Sequence, residues 1–140
     1  MKKKLLGIIL IFVFVLSITG CGSSDTKYDK NGKYVEYIEL IRNQKTSTYT
    51  DNKTYGELLD AILLDSKYDH YNGYLGQGDE EAISLKGKHK NTKENYEIVF
   101  VVSLKNQFVK VEKIMINEKE QSTYSIQTGI LKEGYDELNK

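Results

Sequence analysis

Residues 96 to 104, YEIVFVVSL, constrain the fold more than any other stretch. Tyr96, Ile98, Phe100, Val102 and Leu104 fall on one face of an extended chain, and Val99 and Val101 on the other. A strand that is apolar on both faces belongs in the middle of a sheet covered on both sides. Its neighbours are legible. Upstream, Ile83, Leu85 and Gly87 alternate with polar residues as an outer strand, joined through a polar turn over 90–95. Downstream, Lys105-Asn106-Gln107 is short enough for a hairpin. The next strand carries Val109 and Val111 in one phase and Ile114 and Ile116 in the other. A bulge near Glu112 or Lys113 reconciles the two.

Before this sheet the period is helical. Tyr34, Tyr37, Ile38 and Ile41 form an i, i+3, i+4, i+7 stripe over 34–42. A polar, irregular stretch over 46–53 contains Tyr49 as its one large apolar group. A second helix opens at Thr54, whose side chain can cap a backbone N–H while Glu57, three residues on, reaches back. Tyr55, Leu58, Leu59 and Ile62 line one face, and the helix is expected to run out near Asp65. Residues 68–75 are aromatic and β-prone but broken by Asn72-Gly73, and 76–79 form a loop. At the far end Tyr124, Leu131, Tyr135 and Leu138 predict a closing helix over 122–138, in which Gly129 costs roughly 1 kcal/mol relative to Ala. The sum is an α+β domain: two N-terminal helices, a three- or four-stranded antiparallel meander and a C-terminal helix, with the helices on one face.

The chain begins with Lys2, Lys3 and Lys4 and an apolar run over 5–18. That run has the length of a signal-peptide core and falls short of the roughly 20 residues a permanent membrane helix needs. An uncleaved N-terminal membrane helix is the alternative. The four residues that follow the run, Ile18-Thr19-Gly20-Cys21, resemble a bacterial lipobox, with Ile in place of the usual Leu. The resemblance implies diacylglyceryl transfer to the Cys21 thiol, cleavage between Gly20 and Cys21, and a mature chain held by its lipids on the extracytoplasmic face of the cell membrane. Two acyl chains make such attachment effectively stable, where one leaves it reversible. Residues 1–20 are then signal peptide, 21–33 the lipidated cysteine and a flexible polar tether, and 34–140 a single domain. A tether of this length spans about 20 Å.

Of the 20 basic residues three precede Cys21, leaving 17 against 20 acidic ones. This slight negative balance argues against a nucleic-acid partner, which requires a basic patch. Cys21 is the single cysteine, so the domain relies on its core and not on disulfides.

The stretch IRNQKTSTYTDNKTYGELLDAILLD resembles a phrase found in small surface lipoproteins of Gram-positive bacteria and their mobile elements. The matching positions are Arg42, Asn43, Tyr49, Asn52, Lys53, Thr54, Gly56, Glu57 and Asp60, with Tyr68 as the aromatic after the second helix. Gln44, Thr50, Tyr55 and Leu58-Leu59 depart from the phrase. The group has no generally assigned activity; some small lipoproteins of conjugative elements act in exclusion, blocking redundant transfer. The resemblance therefore implies a binding role, of exclusion or immunity type, toward another envelope protein. In element order alone the chain is also similar to the helix-helix-sheet domains of β-lactamase inhibitor proteins, which are protein binders.

Little catalytic chemistry is legible. His70 and His89 lack the spacing of a zinc pair and are expected as solvated surface residues. Asp79-Glu80-Glu81 lacks the alternating ligands of a calcium loop. Gly73, Gly76 and Gly78 are not flanked by strand and helix as a phosphate cradle requires, and no serine sits in a hydrolase elbow. The expectation is a non-enzymatic module without metal or cofactor. Tyr68, Tyr71 and Tyr74, beside Asn72, Gly73 and the 76–78 loop, form the candidate partner-binding surface, since tyrosine offers contact area at low entropic cost. The plainer expectation has Tyr68 capping the core and the other two scattered on the surface. A small-molecule-binding or accessory-enzyme lipoprotein is the alternative function.

Overall fold

The computed structural model describes residues 27–46, 52–74 and 76–140. Gly20, Cys21 and the apolar run before them lie outside these residues, as do Tyr49 and Leu75. The element order is α1 (Val35–Asn43), α2 (Tyr55–Ile62), β1 (Leu63–His70), β2 (Glu80–His89), β3 (Asn95–Ser103), β4 (Phe108–Ile116), β5 (Lys119–Gln121) and α3 (Thr123–Leu138). The strands form one antiparallel sheet in chain order, β1-β2-β3-β4-β5. The chain is therefore α+β, with two helices, a meander and a closing helix among the described residues.

β3 is the middle strand. Ile98, Phe100 and Val102 enter the main core, and Val99 and Val101, on the opposite face, are only 1% and 2% exposed. The expected bulge in β4 falls at Glu112: Val99 opposes Lys113 while Phe100 opposes Val111. The extra residue brings Val109, Val111, Ile114 and Ile116 onto the core.

Three expectations are corrected at the start of the sheet. α2 stops at Ile62, and the chain passes directly into β1, so β2 is an inner strand and the sheet has five strands. The cause is a second bulge. Leu64 pairs with Lys88 and Lys67 with Lys86, which leaves Asp65 and Ser66 opposite Gly87, with Asp65 in the left-handed region at φ 50°. Buried positions then fall at 63, 66 and 68, and the slip disguises a strand as the end of a helix. Gly87 is the residue that admits it: a Cβ there would meet Ser66 Cβ at 3.1 Å and Leu63 Cβ at 3.2 Å.

All three helices pack on one face, through Ile38 and Ile41, through Leu58, Leu59 and Ile62, and through Ile130 and Leu131. The predicted capping box is present: Glu57 N donates to Thr54 Oγ1 at 3.3 Å and Thr54 N to Glu57 Oε2 at 2.8 Å. In α3 the apolar stripe differs from expectation, for Tyr124 is 85% exposed. The contact keeps the expected Leu131 and Tyr135 and adds Ile130 and Gly134. A Cβ on Gly134 would lie 2.2 Å from Leu58 O, so α2 and α3 cross with their backbones touching.

Residues 27–33, assigned by composition to the tether, are fastened to the fold. Lys27 N donates to Ser66 O at 2.8 Å and Tyr68 N to Lys27 O at 3.0 Å, a parallel rung on the outer edge of β1. Tyr28 meets the Tyr68 ring edge-on at 6.2 Å and donates its hydroxyl to Glu39 Oε1. The part of the expected tether upstream of these contacts is residues 22–26.

Candidate functional site

With the helices on one face, the other face of the sheet is left uncovered by them. Strand register arranges its side chains in rows. Leu64, Lys88 and Asn95 form one row; Lys67, Lys86, Glu97 and Met115 the next; then Asp69, Ser84, Val99 and Lys113; and last Ala82, Val101 and Lys110.

The first two rows border an open trough of about 720 Å³. Its charges are mixed. Lys67 and Lys86 sit directly opposite each other, an arrangement that costs stability on a sheet surface. Asp69, 2.8 Å from Lys67, and Glu97, 3.5 Å from Lys86, offset it in part through exposed pairs of small strength. By contrast, the gap left between α2, α3 and the sheet is about 10 Å³, at the limit for a single water.

The last two rows carry small or β-branched residues, and Ala82, Ser84, Val99 and Val101 are all buried without help from a helix. The segment after β1 folds back toward them. Tyr71 N donates to Ala82 O, extending the ladder by one residue and putting the Tyr71 side chain on the uncovered face. Lys113 of β4 is held above the usual ammonium range first by Glu120 and to a smaller extent by Tyr71. Tyr74 donates its hydroxyl to Glu80 Oε2 at 3.0 Å, and this bond pushes the phenol above its ordinary range. Gly73 and Gly76 permit the close turn: a Cβ on Gly73 would meet the Tyr71 ring at 2.9 Å, and one on Gly76 the Glu80 carbonyl at 2.7 Å. Asp79 closes the segment, accepting from Ser103 Oγ at 2.9 Å and from Lys105 N at 2.8 Å.

Of the three tyrosines read as one surface, Tyr71 and Tyr74 are half-buried on the loop, but Tyr68 is 2% exposed and belongs to the core. It sits between Tyr28 and Arg42, with the guanidinium 5.9 Å from each ring. Arg42 also forms a two-pronged pair with Asp60, at 2.7 and 3.2 Å. That bond raises the arginine further, and burial pushes the Tyr68 phenol well up. Gly56 packs against the Arg42 carbonyl, where a Cβ would come to 3.0 Å. Arg42, Thr54, Gly56, Glu57, Asp60 and Tyr68 are thus the fastening of α1, α2 and β1. These six positions of the phrase on which the resemblance rests serve packing and capping in this chain.

The histidines also depart from expectation. His89 is 1% exposed, because its Nδ1 accepts from Asn91 N at 3.2 Å and Thr92 N at 3.1 Å and so satisfies the β2–β3 turn. Nδ1 is therefore the unprotonated nitrogen; Nε2 lies 3.0 Å from Glu133 Oε1 without the alignment of a hydrogen bond. His70 stacks on Tyr34 at 4.4 Å, with Glu81 Oε2 3.0 Å from one ring nitrogen and Asn72 Oδ1 2.9 Å from the other. Turn-capping by His89 carries no periodic signal that a sequence reading could have found. Among the described residues no group of three or more His, Cys, Asp or Glu could hold a metal ion, and no helix is long and apolar enough to cross a membrane. No family model, no curated protein and no solved structure matches the chain.

Proposed function

We propose that the chain is a lipid-anchored extracytoplasmic module without catalytic activity, which binds another envelope protein through the tyrosine loop at one end of its uncovered sheet face. The observation that carries the binding part is the loop itself. Tyr71 and Tyr74 are half-buried and held in place by glycine turns and by Glu80, so they lose little side-chain freedom when a partner covers them. The anchor rests on the lipobox-like Ile18-Thr19-Gly20-Cys21 and the run before it. An exclusion or immunity-type role for a mobile element follows the resemblance of residues 41–65 and of Tyr68.

The test has two arms. Labelled fatty acid should enter the protein in cells and be lost in Cys21→Ser, which should also leave the membrane fraction; a Cys21→Ser protein that stays with membranes at its processed mass removes the anchor. A photo-crosslinker at Tyr71 or Tyr74 in intact cells should give one defined envelope-protein adduct, and the same group at Glu36 on the helical side should not. Equal adducts from both positions remove the binding surface. Transfer frequencies unchanged on deletion remove the exclusion role.

A second reading, a small-molecule-binding or accessory-enzyme lipoprotein, draws on the trough, whose about 720 Å³ falls within the range of ligand pockets. The trough is open and mixes Lys67, Lys86 and Lys88 with Asp65, Glu97 and Glu118, a lining that selects no one ligand charge and so favours the first reading.

A further inference from the structure

We infer that the end of the sheet that carries the trough, where β1 starts and the β2–β3 turn lies, meets the phosphate headgroups of the bilayer that holds the anchor with the strands standing upright, and that the tyrosine loop thereby points away from the membrane. This rests on the anchor proposed above.

The first observation is reach. The chain is tied to β1 at Lys27, so five residues separate it from Cys21. Even fully extended, six residue steps cover only about 20 Å. The second is direction. The Lys27 rung is parallel to β1, so at that rung the N-terminal direction of the chain is toward Leu63, the end of the strand that borders the trough. The third is chemistry. Lys27 joins Lys67 at the outer edge of β1, beside Lys86 and Lys88. Lys27 and Lys88 form no ion pair among the described residues, and Lys67 and Lys86 face each other, relieved by the exposed Asp69 and the mostly buried Glu97, while Asp65 and Glu118 border the same trough. Leu64, a large apolar residue 38% exposed, stands in the same outer row. Anionic phosphates would relieve the opposed lysines, at about fivefold in affinity for each lysine brought to an anionic surface. Zwitterionic lipid offers no such net charge.

The arrangement sets a height for the other end. β3 has nine residues, which at ~3.3 Å each make about 30 Å. The β3–β4 turn should therefore stand about that much farther from the headgroups than the β2–β3 turn.

The test uses the full lipidated protein in vesicles of phosphatidylglycerol and phosphatidylcholine in equal parts. Cys21 is the only cysteine and, on the proposed anchor, its thiol is blocked by acylation, so one introduced cysteine can be labelled alone. Thr92→Cys marks the trough end and Asn106→Cys the far turn. Energy transfer to a headgroup acceptor should be strong from position 92 and weak from 106. The contrast should collapse in pure phosphatidylcholine, and in the triple variant Lys67→Gln, Lys86→Gln, Lys88→Gln. Equal transfer from both positions, or stronger transfer from 106, overturns the inference while leaving the anchor intact. A contrast that persists in neutral lipid and in the triple variant overturns the headgroup contact. Loss of the contrast in the anionic vesicles on adding inorganic phosphate, when an equal ionic strength of chloride leaves it unchanged, assigns the trough to a soluble anion and also overturns it. Protein that never enters the vesicles removes the anchor and the inference together, and is distinguished by the absence of any transfer.

Discussion

Alanine at the two glycines of α3 should move stability in opposite directions. Each substitution gains about 1 kcal/mol of helix propensity. At Gly129 nothing lies within 4 Å of the new Cβ, so Gly129→Ala should keep that gain. At Gly134 the Cβ would be 2.2 Å from Leu58 O, 2.8 Å from Leu58 C and 3.0 Å from Leu58 Cα. Those neighbours are backbone and cannot rotate away, so α3 must retreat by about 1 Å, and a gap of that size forfeits a quarter to a half of the dispersion contact. Ile130, Leu131 and Tyr135 ride on the same helix and bury their side chains across the gap. At about 2 kcal/mol for each buried side chain the loss is roughly 2–3 kcal/mol. Less the helix gain, Gly134→Ala should be about 1–2 kcal/mol less stable than the wild type, and about 2–3 kcal/mol below Gly129→Ala. Thermal unfolding of a soluble chain of residues 22–140, followed by far-ultraviolet circular dichroism, should place the two midpoints on either side of the wild type. At a few degrees per kcal/mol for a domain of this size they should be separated by about 10 °C. If both variants rise together, only propensity is at work and the backbone contact between α2 and α3 is absent.

Other consequences are measurable on the same soluble chain. Asp60→Asn or Arg42→Met should each destabilise by about 2 kcal/mol, because each leaves a largely buried partner unmatched; a double-mutant cycle should show coupling of about 1 kcal/mol or more, and additive losses would contradict the pair. His89→Ala should cost about 2–4 kcal/mol through lost packing and two unmet N–H groups, and His89→Asn, which restores an acceptor, should recover part of it in urea unfolding. The Lys105 N–H and Ser103 Oγ–H donated to Asp79 hold its carboxyl below the usual range, so the carboxylate is favoured in the folded state. Its contribution is present above pH about 4 and is lost as pH falls through the lowered folded value. Hydrogen exchange at the Lys105 amide should speed up in that acid window beyond its intrinsic pH dependence; an amide whose protection is flat there would refute the assignment.

Half of the candidate site could be read before any coordinates. The tyrosine loop was visible as Tyr71 and Tyr74 around Asn72-Gly73, because turn residues and large amphipathic side chains announce themselves locally. Tyr68 belongs to the core, as the plainer expectation has it, and not to that surface. Its burial depends on Arg42, Asp60 and Tyr28, residues from three other segments, and no spacing rule relates them. The trough was invisible for a similar reason: Lys67, Lys86, Glu97 and Met115 become one row only through the register of four strands.

The sequence alone determined the features whose cause is local. Both faces of residues 96–103 are apolar, so that strand had to be central; Thr54 and Glu57 stand three apart, so a helix had to start there; Val111 and Ile114 are out of phase, so β4 had to bulge. Tertiary structure decided whatever depends on partners distant in the chain. The slip at Asp65 and Ser66 is stabilised by the room at Gly87, the α2–α3 crossing by the missing side chain at Gly134 against Leu58, and the fastening of Lys27 by an edge of β1 that exists only once the sheet has formed. Periodicity records which way a side chain faces along its own element, and carries no information about which backbone will lie against it.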